Sequence, residues 1–398
     1  MKKVTQTWDD DSYKNYKNKW KDKGEYEIVE EIRDRFSSMS DARRTSCPFK
    51  TLKSESGIST RIDDNPDGTL KGGGGSDWAQ FWDQGWKQYH MIIDDYVEGR
   101  SNLKSPITFA AVQALQTEFQ NNNIAVLMKA TQDDDKPKVR LLYDHEKFWE
   151  SKTDARKYKK TTFLETSVCG TSIPFNGFQK RVRDVSLIIT GKETKKELGK
   201  KKAQRNEISL ENINGLVKQN PFIKKETIVE YNDCVYVPTS LYEIFIDPDA
   251  RCLRGPAYEA SDIIWRQCVS LEQARAELKN SQDPFIKTVN IDKIKTSTDA
   301  EKEYIGTPFF KTPSDISGSK VEILRYFNKP TDKYIIIAND VILRDGPLPY
   351  NHKELPFSLH ICYEVENQFY GKGLASVLEN IQAEDETNTN MNLDQRKI

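Results

Sequence analysis

The chain has 398 residues, room for two or three domains with cores of their own. Charged residues make up 30% and hydrophobic ones 36%, with mean hydropathy −0.74, while 10% aromatics argue against wholesale disorder. A formal net charge of −1 excludes a global positive field that would draw the protein onto nucleic acid, and no run is long and apolar enough to span a bilayer.

The first residues, Met1-Lys2-Lys3-Val4, carry no apolar h-region of a secretory signal. Ile28, Val29, Ile32 and Phe36 are helix-spaced and predict one short amphipathic helix before Arg44. Residues 45–76 read as a loop ending in Gly72–Ser76, which matches a common engineered linker and reads more readily as a natural flexible loop. Asp77 to Gly99 reads as a helix capped by Ser76 or Asp77. Trp78, Phe81, Trp82, Trp86, Tyr89, Ile93 and Tyr96 form one face of it. Such a face suits a base-stacking platform or a core, and the helical spacing favours a core. Pro106 opens the next helix, with Ile107, Ala110, Ala111, Ala114, Leu115 and Phe119 as its apolar stripe. A third helix is expected from Asp144 through Phe148, Ala155, Phe163 and Leu164 to Gly170.

Strand signals follow. They fall at Val182–Ile189, Thr227–Tyr231, Val235–Pro238 and Tyr242–Ile246, with a helix over 270–280 announced by Ser270 and Gln273 as a capping box. Residues 281–318 read as a long polar excursion. An antiparallel set comes next: Val321–Phe327, Tyr334–Ala338, a turn at Asn339-Asp340, Val341–Arg344 and Leu359–Tyr363. Helices followed by strands make an α+β chain, not an alternating βαβ one.

Chemistry-bearing motifs are sparse. Cys47, Cys169, Cys234, Cys252, Cys268 and Cys362 make no Cys-x-x-Cys pair and suit free thiols in a reducing cytosol. His90, His145, His352 and His360 are scattered, without a zinc motif. There is no Gly-x-Ser-x-Gly and no Walker A lysine after the Gly72–Gly75 run, so hydrolase and ATP-motor chemistry are not expected. Asp247 and Asp249 around Pro248 could hold a hard cation or simply shape a turn. Lys195, Lys196, Lys200, Lys201 and Lys202 lie in a basic insert that reads as a solvated loop or as a phosphate- or partner-binding loop. Lys157, Lys159 and Lys160 carry the same two readings.

The end of the chain is the most informative stretch. Gly371 and Gly373 predict a tight turn into a helix where Leu374, Val377, Leu378 and Ile381 fall at i, i+3, i+4 and i+7. After Ile381 the stripe stops, yet no Gly or Pro follows Gly373; Asn388, Asn390, Asn392 and Asp394 are only weak helix formers. Such a helix is expected to leave its own domain's core, either solvated or packed on another chain, and to run on through Ile398.

This passage, with Glu354-Leu355-Pro356-Phe357 before it, resembles the portal (head-tail connector) proteins of tailed bacteriophages. In them a Gly-x-Gly-Leu turn and a Gln/Asn-rich helix lead from wing to stem. A second stretch, Ile244–Ala250 with Asp262–Gln267 and Ser270–Ala274, looks like a portal wing, where a strand ends in an Asp-Pro turn before a strand and a capped helix. The resemblance implies an α+β wing, helical first and antiparallel β-rich second, leading into a long stem helix. The parts would be a charged arm over 1–76, the helical wing over 77–170, the β-rich wing over 171–368 and the start of the stem over 369–398.

It further implies a homo-oligomeric ring, a dodecamer, at a capsid vertex of the virion, assembled in the host bacterial cytoplasm. The ring would be a passive channel for double-stranded DNA in packaging and ejection. Its partners would be the major capsid protein, the terminase motor and neck or tail adaptors; neither cofactor, metal, catalysis nor membrane is implied. Gly371, Gly373, Leu374, Leu378 and Ile381 would build the start of the stem, and Arg396 and Lys397 would face the channel. A clip, a returning stem helix and a crown would follow residue 398. The alternatives are another capsid-associated neck or head-completion protein, or a metal-dependent phosphate-processing enzyme using Asp247 and Asp249.

Overall fold

The structure, a computed structural model, describes residues 24–49, 77–93, 100–121, 129, 136–152, 155–188, 223–280, 283–296, 320–339, 341–350 and 352–396. It is mixed α+β, with helices α1 (Glu25–Thr45), α2 (Trp78–Tyr89), α3 (Ile107–Asn121), α4 (Lys136–Lys152) and α5 (Ala155–Cys169) ahead of the described strands. Then come β1 (Thr171–Ser172), β2 (Phe175–Ile188), β3 (Ile223–Val237), β4 (Ile244–Ile246) and β5 (Asp262–Ser270). Helices α6 (Leu271–Asn280) and α7 (Thr288–Ile291) precede β6 (Lys320–Asn328), β7 (Lys333–Ala338) and β8 (Val341–Gly346). β9 (His360–Ile361) and α8 (Leu374–Gln395) complete the order.

Strands β4 to β8 form one antiparallel meander in sequence order. Alternate residues of each strand go to opposite faces, and both faces are covered. One carries Ile264, Leu324, Tyr326, Ile335 and Ile337 against Ile28, Val29, Ile32 and Met39 of α1. The other, with Ile263, Ile323, Phe327, Tyr334 and Ile336, joins a larger core that also holds Trp78, Trp82, Val168, Phe357 and Tyr370. Double burial explains why Ile335-Ile336-Ile337 is an unbroken apolar run. Each fully buried side chain of this kind contributes about 1.5–3 kcal/mol of transfer free energy. The helix expected in the N-terminal arm is therefore a layer of the sheet's core.

The ring-rich face of α2 is core, as its spacing suggests: Trp78 and Trp82 are fully buried, and Asp77 caps the helix by accepting from Ala79 N at 2.8 Å. The helix stops ten residues before Gly99. Met91 adopts φ 56°, its N–H donates to Gln88 O at 3.3 Å, and Ile92 N–H donates to Lys87 O at 2.9 Å. These are the two bonds of a Schellman stop, here with Met in the place glycine usually takes. Ile93 consequently lies exposed beyond the helix, and Tyr96 lies outside the described residues.

Two further expectations change. The helix expected from Asp144 to Gly170 is two helices, α4 and α5, with Asp144 inside the first. The separate strands expected around 182–189 and 227–238 are one long two-stranded ribbon of β2 and β3, with a register shift at Arg181/Val182. The capping of α6 is present, Gln273 N donating to Ser270 Oγ at 3.2 Å. Leu359–Tyr363 reduces to the short β9, paired with β1. Among the described residues no helix is long and apolar enough to cross a membrane.

Candidate functional site

The C-terminal turn is a junction of two backbones. α5 ends at Gly170, which adopts φ +92°, and the chain from Tyr363 to Gly373 crosses directly over it. Cys362 N donates to Gly170 O at 2.9 Å, and Tyr363 and Lys372 exchange bonds of 3.1 and 2.8 Å. A Cβ at Gly373 would overlap the carbonyl of Val168, and one at Gly170 the backbone of Gly371–Gly373. Close approach, more than a special dihedral, is what requires glycine at 373, whose φ is −88°.

The junction launches α8 along α2, α3 and α5. Its packed side is not the apolar stripe. Ala375 and Gln382 are the buried residues, Leu374 and Leu378 are half-buried, and Val377 and Ile381 are 49% and 57% exposed. The packed side is a polar ladder at i, i+4, i+8 and i+12. Gln382 Oε1 accepts from Thr108 N at 3.2 Å and Thr108 Oγ1 at 2.6 Å. Glu386 accepts from Ser105 N at 3.1 Å and pairs with Lys104 at 3.1 Å. Asn390 Oδ1 accepts from Leu103 N at 2.8 Å while its Nδ2 donates to Leu103 O at 3.1 Å. Asp394 Oδ1 accepts from Ser101 N at 2.7 Å.

The register has a simple cause. Four residues of helix advance about 6.0 Å, and two residues of extended chain about 6.6 Å. From Glu386 to Asp394 every fourth side chain of α8 therefore meets every second N–H of the segment leading into α3, while Gln382 meets Thr108 in its first turn. The expectation that the Asn-rich half leaves its own domain is corrected here: its amides and carboxylates bind that segment and cap α3. The predicted stripe of α3 changes for the same reason. Thr108, Val112 and Gln116 are its buried residues, while Leu115 is 43% exposed, because neighbouring side chains and carbonyls satisfy the polar ones.

Asp247 is taken up by an ion pair. Arg35 of α1 places Nη2 2.9 Å from Asp247 Oδ1 and forks onto Asp262 at 2.9 and 2.8 Å. Ser261 Oγ donates to Asp247 Oδ2 at 2.5 Å, and Tyr326 OH donates to Asp262 Oδ2 at 3.0 Å. The Asp262 hydrogen bond, helped by both carboxylates, holds Arg35 above the usual guanidinium range. Asp249 is exposed and donates only its N–H, to Asp247 Oδ1 at 3.3 Å. The ion pair thus ties α1 to the sheet; among the described residues no group of three His, Cys, Asp or Glu is set to hold a metal.

Arg396 is exposed at the end of α8, its N–H bonded to Asn392 O at 3.3 Å; Lys397 lies outside the described residues, as do Lys195, Lys196, Lys200, Lys201 and Lys202. Lys157 and Lys160 are exposed on α5, and Lys159 pairs with Glu150 of α4. Of the ladder residues, sequence reading took Asn390 and Asp394 only as weak helix formers and passed over Gln382 and Glu386. Their four-residue spacing opposite the alternation of 101, 103 and 105 was the available signal. No protein-family model matches the chain, and no curated protein matches it.

Proposed function

We propose that this chain is a portal-type structural protein: a wing and the start of a stem that assemble as a closed ring, a dodecamer, at a capsid vertex. The ring is a passive channel for double-stranded DNA and the dock for the packaging motor and tail components. The observation that carries this reading is the two-sided character of α8. One side is bound to its own domain by a polar ladder, and the other offers Val377 and Ile381 to solvent. A helix anchored this firmly with an apolar side left over calls for a protein neighbour, and identical neighbours around an axis supply one to every copy.

The charge of the chain suits a conduit. Each phosphate neutralised by Lys or Arg adds to a salt-dependent grip on DNA. A chain of net charge −1, with five acids and no Lys or Arg over Leu374–Gln395, contributes little such grip along its stem and lets a duplex slide. Arg396 and Lys397 are the cations nearest that helix's end and the candidates for channel contacts. Since the chain carries no nucleotide-hydrolysing motif, the work of packaging comes from the motor it docks. Electron microscopy of the purified protein tests the reading: rings with a central hole of duplex width support it. Rings without such a hole point instead to a neck or head-completion protein.

A further inference from the structure

We propose that adjacent copies of this chain contact each other through unlike surfaces: the basic, apolar side of α4 on one copy against the acidic, apolar side of α8 on the next. This rests on the ring reading above and names the surfaces that close it.

The charge is unevenly divided. Between residues 136 and 160 the chain has nine Lys and Arg against four Asp and Glu, although its net charge is −1. In α4, Lys136, Arg140 and Lys147 fall at i, i+4 and i+11, one side of the helix, and all three are exposed. Lys147 stands 4.3 Å over the ring of Tyr143 at i+7, on the same side. About a quarter-turn round the helix, with the exposed Asp144 between, Leu141 and Phe148, seven residues apart, are 71% and 56% exposed. α4 docks on its own chain beyond that apolar pair, through His145 beside Asp233 at 3.6 Å and Trp149 Nε1 donating to Cys234 O at 2.7 Å.

The complement lies on α8. Val377, Ile381, Glu384, Asp385 and Asn388 fall at i, i+4, i+7, i+8 and i+11 and are all exposed. Glu379, Glu386 and Asp394 turn inward to Gln84, Ser105 and Ser101, so Glu384 and Asp385 are the carboxylates left on the outward side. Each surface therefore pairs two large apolar side chains with a net charge of about two, three cations less Asp144 on α4 and Glu384 with Asp385 on α8, and the signs are opposite. A DNA backbone would engage the cations of α4 and leave Leu141 and Phe148 in water. An acidic helix with its own apolar pair covers both. Because the two surfaces differ, the contact is head-to-tail, the kind that propagates around an axis and closes as a ring.

Charge reversal with rescue tests this. R140E/K147E and E384K/D385K each place like charges across the contact, and each is expected to weaken self-association by about tenfold or more. Sedimentation velocity at low salt reads this, with circular dichroism checking that each variant is folded. All four changes in one chain restore opposite charges and are expected to restore the assembly. If either reversal leaves rings intact while the wild type forms them, this contact is wrong and the ring reading stands. The contact is equally wrong if both reversals disperse the ring and the fourfold variant does not recover it. If R140E/K147E leaves rings intact and instead abolishes retention on duplex DNA or on anionic vesicles, α4 serves that polyanion and the proposal falls. If the wild type never assembles, this inference and the ring reading fall together.

Discussion

At the scale of single residues, two side-chain positions carry consequences that a solution experiment reads directly. Gly373 has the backbone of Val168 where a Cβ would sit. Gly373→Ala should therefore lower the unfolding free energy by about 3 kcal/mol through overpacking. A urea midpoint unchanged from wild type would mean that the two backbones do not meet there. Glu165 is half-buried, yet desolvation pushes its carboxyl up to about 8; the N–H donated by Leu241 at 3.1 Å opposes the shift and the charge of Glu243 adds to it. The folded state therefore keeps this proton while the unfolded chain, at about 4.3, has lost it. Stability attached to this group is complete below about pH 4.3 and declines as pH rises towards 8, by up to about 1.4 kcal/mol per unit. Glu165→Gln has nothing to titrate, so its stability should vary less between pH 5 and 8 than that of the wild type. Parallel pH profiles for the two proteins would count against the desolvated carboxyl.

At the scale of elements, the polar ladder is what orients α8. Gln382→Ala leaves the N–H and hydroxyl of Thr108, a fully buried residue, without their acceptor. The expected cost is about 1–3 kcal/mol. A cycle with Thr108→Ala should show the two losses to be coupled, whereas strict additivity would deny the contact. How much of each element was legible follows from how local its signal is. α2 announced its buried face because Trp78, Phe81, Trp82, Trp86 and Tyr89 repeat at the helical period. Its end was hidden, since the left-handed stop fell on Met91, a residue that gives no such sign. Strands β4, β6, β7 and β8 of the sheet were legible as apolar runs, β5 only through the family resemblance at Asp262–Gln267, and the Asn339 turn as a two-residue loop, with Asn339 at φ 52°. The stripe of α3 was misread because burial of Thr108 and Gln116 is decided by partners about 270 and 40 residues away. The same long-range logic turned Asp247 from a candidate cation ligand into the partner of Arg35, a residue that spacing around Asp-Pro-Asp could not reveal.

At the scale of the whole molecule, the account joins three features: a sheet covered on both faces, a glycine junction that fixes where α8 starts, and a helix whose outward side is apolar then acidic. The C-terminal glycines and the start of the helical stripe were legible in the sequence because each is a short local pattern. Which side of α8 faces its own domain was not, because amides and carboxylates do the docking where periodicity assigns it to Leu and Ile. That inversion strengthens the case for assembly, since it leaves the apolar residues over for a neighbour. The most direct test is a negative-stain image of the purified protein at concentrations that favour assembly. The account expects closed rings of identical subunits around a hole wide enough for a DNA duplex. A protein that stays monomeric at every concentration and salt condition, with no ring in any field, would contradict it.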